Sequence, residues 1–424
     1  MNSFRFGQCK CVYLVACCIL FLFTATNSGW AAFSGEETWA PYPPQAPMNA
    51  DSPVAQDDHR FLLEQALESQ INLLDTSALD QVIAGLSSEL RAELPEWDVR
   101  RIVADGGLGD RFSLLHLITR FASFLVREIV FNSQLLGQLA LLAVFCAILR
   151  NLTHVFPTHG VAEPAFALSF LALLYIGLQS FRAAVDVAGS TLDTMVDLMH
   201  AALPLLTAMI AAAGAVTTAT LYHPLFVSMV ALVATLVRNV ILPLTFLSAV
   251  LSILGSLSKD FPMKKMAGLV RQWTITLLGL LFILFFGVLS IRGAIAPVTD
   301  SIAIKTAKFL TGTFVPVVGS RMAEALDIVI GGSQLIKSAI GVFGMAAIFV
   351  IVAFPALKVF SVLFIFRLVT ALIEPLSDER LVDALNSLAG SLTLVLACML
   401  TVGLMFFISI TILVSMGNVT TLVR

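Results

Sequence analysis

Two arginines, Arg238 and Arg367, stand inside long apolar runs of this 424-residue chain. An ionisable side chain at that depth must find a partner, reach back to the headgroups, or serve a pathway through the membrane. Arg367 has Glu374 seven residues on, on the same helical face. That spacing suits a buried pair or partner-facing seam, or else a helix lying in the interface. Arg238, followed by Asn239, suits a cap on the turn between two short spans. Asp186, Asp193 and Asp197 are separated by 7 and 4 residues, which puts their carboxylates within about 40° of one another on a helix. Opposite them runs an apolar stripe of Ala188, Leu192, Val196 and Met199. Such a face is either the solvated side of an interfacial helix or an acidic vestibule for cations or a partner's basic surface. Lys259, Lys264, Lys265 and Arg271 form the densest basic loop, which the positive-inside rule assigns to the cytoplasm.

The familiar catalytic patterns are missing. The chain has no G-x-x-x-x-G-K-[ST] phosphate loop, no G-x-G-x-x-G, no H-E-x-x-H and no G-x-S-x-G. His154 and His159 stand five apart without nearby Cys or carboxylate partners, which reads as plain loop histidines rather than a metal site. The residues therefore predict no enzyme, no cofactor and no metal. No Lys/Arg-rich run marks a nucleic-acid footprint.

The elements that must hold these residues are membrane helices. The chain is 58% hydrophobic and only 12% charged, with a mean hydropathy of +0.92, whereas a soluble domain carries about 25% charged residues. The charge is also uneven: residues 33–132 hold 7 Lys/Arg against 16 Asp/Glu, and residues 133–424 hold 16 against 12. An acidic front thus precedes a slightly basic body.

Arg5 and Lys10 precede an apolar run from Cys11 to Phe23 and then small residues, the layout of a secretory signal peptide over residues 1–31. Cleavage falls after Ala31, or after Ala32; an uncleaved first helix and a lipobox at Leu14–Cys17 are the competing readings. Residues 32–60, rich in Pro, acidic and small residues, read as a disordered linker. Residues 61–132 read as a small extracytoplasmic helical domain, with Ala78, Leu79, Val82, Ile83, Leu86 and Leu90 at three- and four-residue steps. It ends in an interfacial helix that carries Leu114, Leu117, Ile118, Phe121, Leu125 and Ile129 on one side.

Residues 133–424 read as a polytopic all-α domain. At about 20 apolar residues per crossing, spans fall near 134–150, 164–181, 201–222, 224–237, 240–258, 273–291, 338–357, 358–374 and 388–415. The fourth is short and the eighth contains Arg367, so about seven to nine transmembrane helices are expected. This layout puts the basic loop inside, the acidic stretch of Glu374, Asp378, Glu379 and Asp383 outside, and the C-terminal Arg424 inside. Residues 292–338 read as a surface loop or a re-entrant element. Laying Ile253–Ile291 over Leu372–Ile410 without gaps gives 8 identities in 39, a hint of duplication.

Several stretches resemble the stage III sporulation protein AE family of endospore-forming bacteria: GLVRQWTITLLGLLFILFFGVLSIRG (268–293), KTAKFLTGTFVPVVGS (305–320), FPALKVFSVLFIFRLVTALIEPLSDERL (354–381), GLMFFISITILVSMGN (403–418) and REIVFNSQLLGQLALLAVFCAIL (127–149). The resemblance implies a non-enzymatic, multi-pass protein of the mother-cell membrane around the forespore, its N-terminal domain extracytoplasmic. It also implies partners: the other stage III sporulation A proteins, including a secretion-type ATPase, and indirectly stage II sporulation protein Q. Together they would form a channel or feeding conduit that sustains late forespore gene expression. An autonomous secondary transporter and a pore-less membrane scaffold are the alternatives.

Overall fold

In the computed structural model, residue 69 and residues 77–93, 114–155, 162–257, 263–314, 319–375 and 379–416 are described. The expected signal cleavage at Ala31 or Ala32, the 32–60 linker, Lys259, Asp378 and Arg424 lie outside them. Two short helices, α1 (Ser77–Gly85) and α2 (Ser88–Glu93), precede α3 (Leu114–Phe131), α4 (Ser133–Val155), α5 (Ala162–Ala212) and α6 (Val216–Leu236). A π-helical turn, Val237–Ile241, carries α6 directly into α7 (Leu242–Leu257). Then come α8 (Met263–Phe314), α9 (Gly319–Ile373) and α10 (Glu379–Met416).

Among the described residues, six stretches are long and apolar enough to cross a membrane: Ser133–Asn151, Pro164–Ala212, Val216–Ser256, Met263–Leu289, Ile328–Ile373 and Glu379–Met416. The expected spans at 224–237 and 240–258 are one helix, and so are those at 338–357 and 358–374. The expected span at 201–222 is instead divided by the turn between α5 and α6. Arg238, Asn239 and Lys358 interrupt the run of apolar residues, but a charged residue leaves the backbone hydrogen bonds of a helix intact, so hydropathy breaks where the helix does not. Residues 292–338, read as a loop or re-entrant element, are helical through Phe314 and again from Gly319.

Local chemistry explains the turn and the π segment. At the end of α5, Ala215 N–H donates to the Ile210 carbonyl (3.1 Å) and Gly214 N–H to the Ala211 carbonyl (3.0 Å). This paired pattern closes a helix through a left-handed residue, and Gly214, at φ 90°, supplies it. After the π turn comes Pro243. A proline ring inside a helix clashes with the carbonyl four residues earlier and has no N–H to offer it. Widening the turn before it relieves that clash: Leu242 N–H reaches back five residues to the Val237 carbonyl.

The core is built around α10, buried residues of which run from Leu381 to Met416. It lies antiparallel to α9, and glycines allow the close approach. Gly403 faces Val352, Gly344 faces Ile410 and Gly341 faces Val414. α5 runs antiparallel to α6 and α7, with Phe181 stacked on Phe246. Buried hydroxyls are satisfied within their own helices, as Thr401 donates to the Ala397 carbonyl and Ser409 to that of Met405.

The first turns of α8 run beside those of α10 in parallel. Lys264 meets Asp383 and Arg271 meets Gly390, both pairs 119 residues apart. That is also the offset between Ile253 and Leu372, the start of the duplicated segments. The two halves of the weak sequence repeat therefore pack side by side with equivalent residues in contact.

Candidate functional site

Among the described residues, polar side chains join the long helices at several places, Thr207 with His223 across the α5–α6 turn (3.2 Å) and Thr411 with Met345 between α10 and α9 (3.3 Å) among them. Asp193 on α5 forms an ion pair with Arg238 in the π turn, each side chain about half exposed. The two residues are reached from the Gly214 turn by similar lengths of helix on either side, so the hairpin itself brings them level. Arg238 thus does not cap a turn between two short spans. The helix is continuous there, and the wide π turn directs the guanidinium to α5. Asp186 and Asp197, the other members of the acidic face, are exposed on α5. The structure brings only Asp193 of the three to a cation.

At the opposite end of α7, Lys264 Nζ lies 2.7 Å from Asp383 Oδ2. This contact corrects the expected topology. The basic loop and the acidic stretch were placed on opposite sides of the membrane, yet Lys264 and Asp383 touch. The merging of adjacent spans removes the odd crossing that had separated them. Gly255, packed on the backbone of Lys264, tightens the same connection. Two turns further up, Arg271 donates to the Gly390 carbonyl (3.2 Å). A methyl at Gly390 would lie 2.8 Å from the guanidinium, so the missing side chain is what admits Arg271. Lys265, beside this end, belongs to the same basic group.

Arg367 does not pair with Glu374. Its guanidinium donates to Asn386 Oδ1 on α10 at 3.0 Å, while Glu374 is exposed past the end of α9. Arg367 is exposed on α9, and its partner is a neutral amide of the neighbouring helix rather than the carboxylate on its own. Asn386 carried no charge to draw attention in the sequence, and only the antiparallel pairing of α9 and α10 brings it near.

Sequence reasoning missed Lys337. It is completely buried in α9, on the same side as Gly341 and Gly344, which meet α10. The residue had been assigned to a loop, because the segment before it contains glycines and polar residues. Its four- and seven-residue spacing from Gly341 and Gly344 was the available signal that it shares the helix and the packed face. Arg150, near the end of α4, was also overlooked; its guanidinium sits over the Phe166 ring, 5.5 Å from the centroid.

None of these contacts assembles a nucleophile with a base. They are inter-helix ties, and what they do chemically is hold apolar helices at fixed depth and rotation. Comparison with known proteins gives the context. A family model described as "Stage III sporulation protein AE" matches residues 99–417. The curated "Stage III sporulation protein AE" of Bacillus subtilis (strain 168) is 33% identical over 380 residues, covering 90% of this chain and 94% of that protein. No solved structure matches. With the match running through every one of the six long apolar helices, this chain belongs to the stage III sporulation protein AE family.

Proposed function

We propose that this chain is the non-enzymatic, multi-pass membrane subunit of the stage III sporulation A channel, or feeding conduit, between mother cell and forespore. It acts there as the platform on which the other subunits assemble. One observation carries the reading: the family match spans residues 99–417 and so includes all six apolar helices with their polar ties. The central burial of α10 agrees with a platform, because a helix packed on all sides cannot slide without repacking its neighbours. On this reading the chain lies in the mother-cell membrane around the forespore with its N-terminal segment extracytoplasmic. Energy comes from the secretion-type ATPase of the set, and stage II sporulation protein Q is met indirectly.

A clean deletion in the native host tests this. Growth, engulfment and late forespore gene expression are followed by fluorescence microscopy. Normal growth and engulfment followed by failed late expression and shrunken forespores are expected. Normal spores with an altered vegetative solute phenotype would overturn the reading in favour of an autonomous transporter.

A further inference from the structure

The internal repeat equates surroundings as well as contacts. Shifted by 119 residues, the offset of the Lys264–Asp383 and Arg271–Gly390 contacts, residues 263–291 of α8 fall on 382–410 of α10 without a gap. Equivalent positions should be equally covered unless one half has a neighbour that the other lacks. One face differs along its whole length. Leu388, Leu392, Val395, Met399 and Val402 of α10 are at most 3% exposed. Their equivalents on α8 are Leu269, Trp273, Thr276, Leu280 and Ile283. All five are exposed, the four apolar ones by 51–68%. Their spacing of three and four residues puts them on one side of the helix, over about 21 Å.

The element that makes the difference is α5. It runs in the same direction as α10 and packs on both α9 and α10. At Gly177 it comes so close that an added methyl would lie 2.8 Å from Leu388 Cδ1. Among the described residues, no helix takes the corresponding seat on α8, where Leu269 stands in place of Leu388. Acyl chains or another helix could cover such a face, and the residues beside it select the helix. Gly268, Gly279 and Gly287 are exposed on α8, with nothing within 4 Å of an added Cβ, and the side chain of Gln272 is exposed between them. Small residues let two backbones approach, and an amide can hydrogen-bond across the contact. That is the composition of a helix-packing face in a membrane rather than of a lipid-facing one.

We infer that this face of α8 seats a membrane-spanning helix of another polypeptide, which packs on α8 as α5 packs on α10. The occupant is apolar and parallel to α8, with a small residue against Leu269 and a hydrogen-bonding side chain near Gln272. A second copy of this chain is not that occupant, because its own α5 is already seated on its own α10. The inference deepens the platform reading and rests on it for placing the partner among the other subunits.

The test uses the full chain in its native host, with p-benzoylphenylalanine in place of Leu280 or Ile283. Membranes of sporulating cells are irradiated, and the cross-linked peptides are sequenced by mass spectrometry. Leu141 on α4, which is 73% exposed, is the comparison position. Both α8 positions are expected to capture the same membrane-spanning segment of one other protein, and Leu141 is expected not to capture it. Leu269→Trp, which fills the space required by the occupant's small residue, should reduce the cross-link at least tenfold and leave thermal unfolding of the purified chain unchanged. Cross-links to a second copy, to different segments from the two positions, or to the same segment from Leu141 would overturn the proposal. No cross-link at either position would also overturn it and assign the face to lipid. The deletion experiment reads separately: failed late forespore expression without a cross-link removes the docking face and leaves the platform. A cross-link in a host whose deletion strain sporulates normally removes the platform and leaves the face.

Discussion

At Gly403 a single added methyl would lie 2.6 Å from Val352 Cγ2, whereas at Gly137 and Gly279 it would meet nothing within 4 Å. The three glycines thus separate packing from backbone freedom. Gly403→Val should lower the stability of the detergent-solubilised chain by about 1–3 kcal/mol through overpacking. Gly137→Ala and Gly279→Ala should be neutral or slightly stabilising, since alanine favours the helix over glycine by about 1 kcal/mol. Thermal unfolding of the purified chain reads the difference, and equal losses at all three sites would contradict the packing described around α10. The Arg367–Asn386 bond makes a second test. Arg367→Met and Asn386→Ala should be non-additive, with a coupling of roughly 0.5–1 kcal/mol, while Glu374→Gln should leave stability unchanged. Coupling of Arg367 to Glu374 instead would restore the pairing that spacing along one helix suggested. Residue types in the sequence did mark Arg238, Arg367 and the aspartates as unusual. Their partners were not legible, because Asp193 and Asn386 are brought in by other helices and Lys337 was hidden in a segment taken for a loop.

Helix type was the easiest property to read from the sequence, and helix ends were the hardest. The apolar periodicity of α1, with Leu79 buried and Val82 and Ile83 packed on the core, is as expected, whereas α3, expected to lie in the membrane interface, packs Phe121 and Phe124 on Phe354 of α9. The boundaries failed where a charge was taken for a break, at Arg238 and at Lys358, since hydropathy measures transfer to lipid and not continuity of backbone hydrogen bonds. Pro243 yields the sharpest prediction at this scale. Removing a proline from within a helix ordinarily stabilises it by about 3 kcal/mol. Here Pro243→Ala would let the π turn tighten by one residue and rotate α7 by about 100°. The buried face of Thr245, Ala249 and Ile253 would leave its neighbours, and Arg238 would turn from Asp193. The expected outcome is therefore a lower unfolding temperature, and a higher one would show that the π turn is not required by the packing on either side.

For the whole molecule, the pairing of Lys264 with Asp383 means that the connection after α7 and the connection after α9 emerge at one end of the bundle. α10 leaves from that end, so its last residue, Met416, lies at the other end, the end from which α4 enters. Single cysteines placed at the exposed positions 265 and 374 should accordingly be labelled from the same side of intact membranes by an impermeant maleimide. A cysteine at the exposed position 415 should be labelled from the opposite side, and labelling of 265 and 374 from different sides would refute this arrangement. The all-helical membrane class was legible from the sequence, because long unbroken apolar runs, unlike the alternating pattern of a barrel strand, must satisfy their backbone within one helix. The number of crossings was not, since it depends on which charges are tied to a neighbouring helix rather than exposed in a turn. The contacts at an offset of 119 residues have a consequence of their own. Were the two hairpins separate, identical molecules meeting about a twofold axis, each residue on the axis would face itself: lysine against lysine, arginine against arginine. Joined in one chain, the two sides are free to diverge, and Lys264 against Asp383 and Arg271 against Gly390 are matches that no symmetric pair of either hairpin can make.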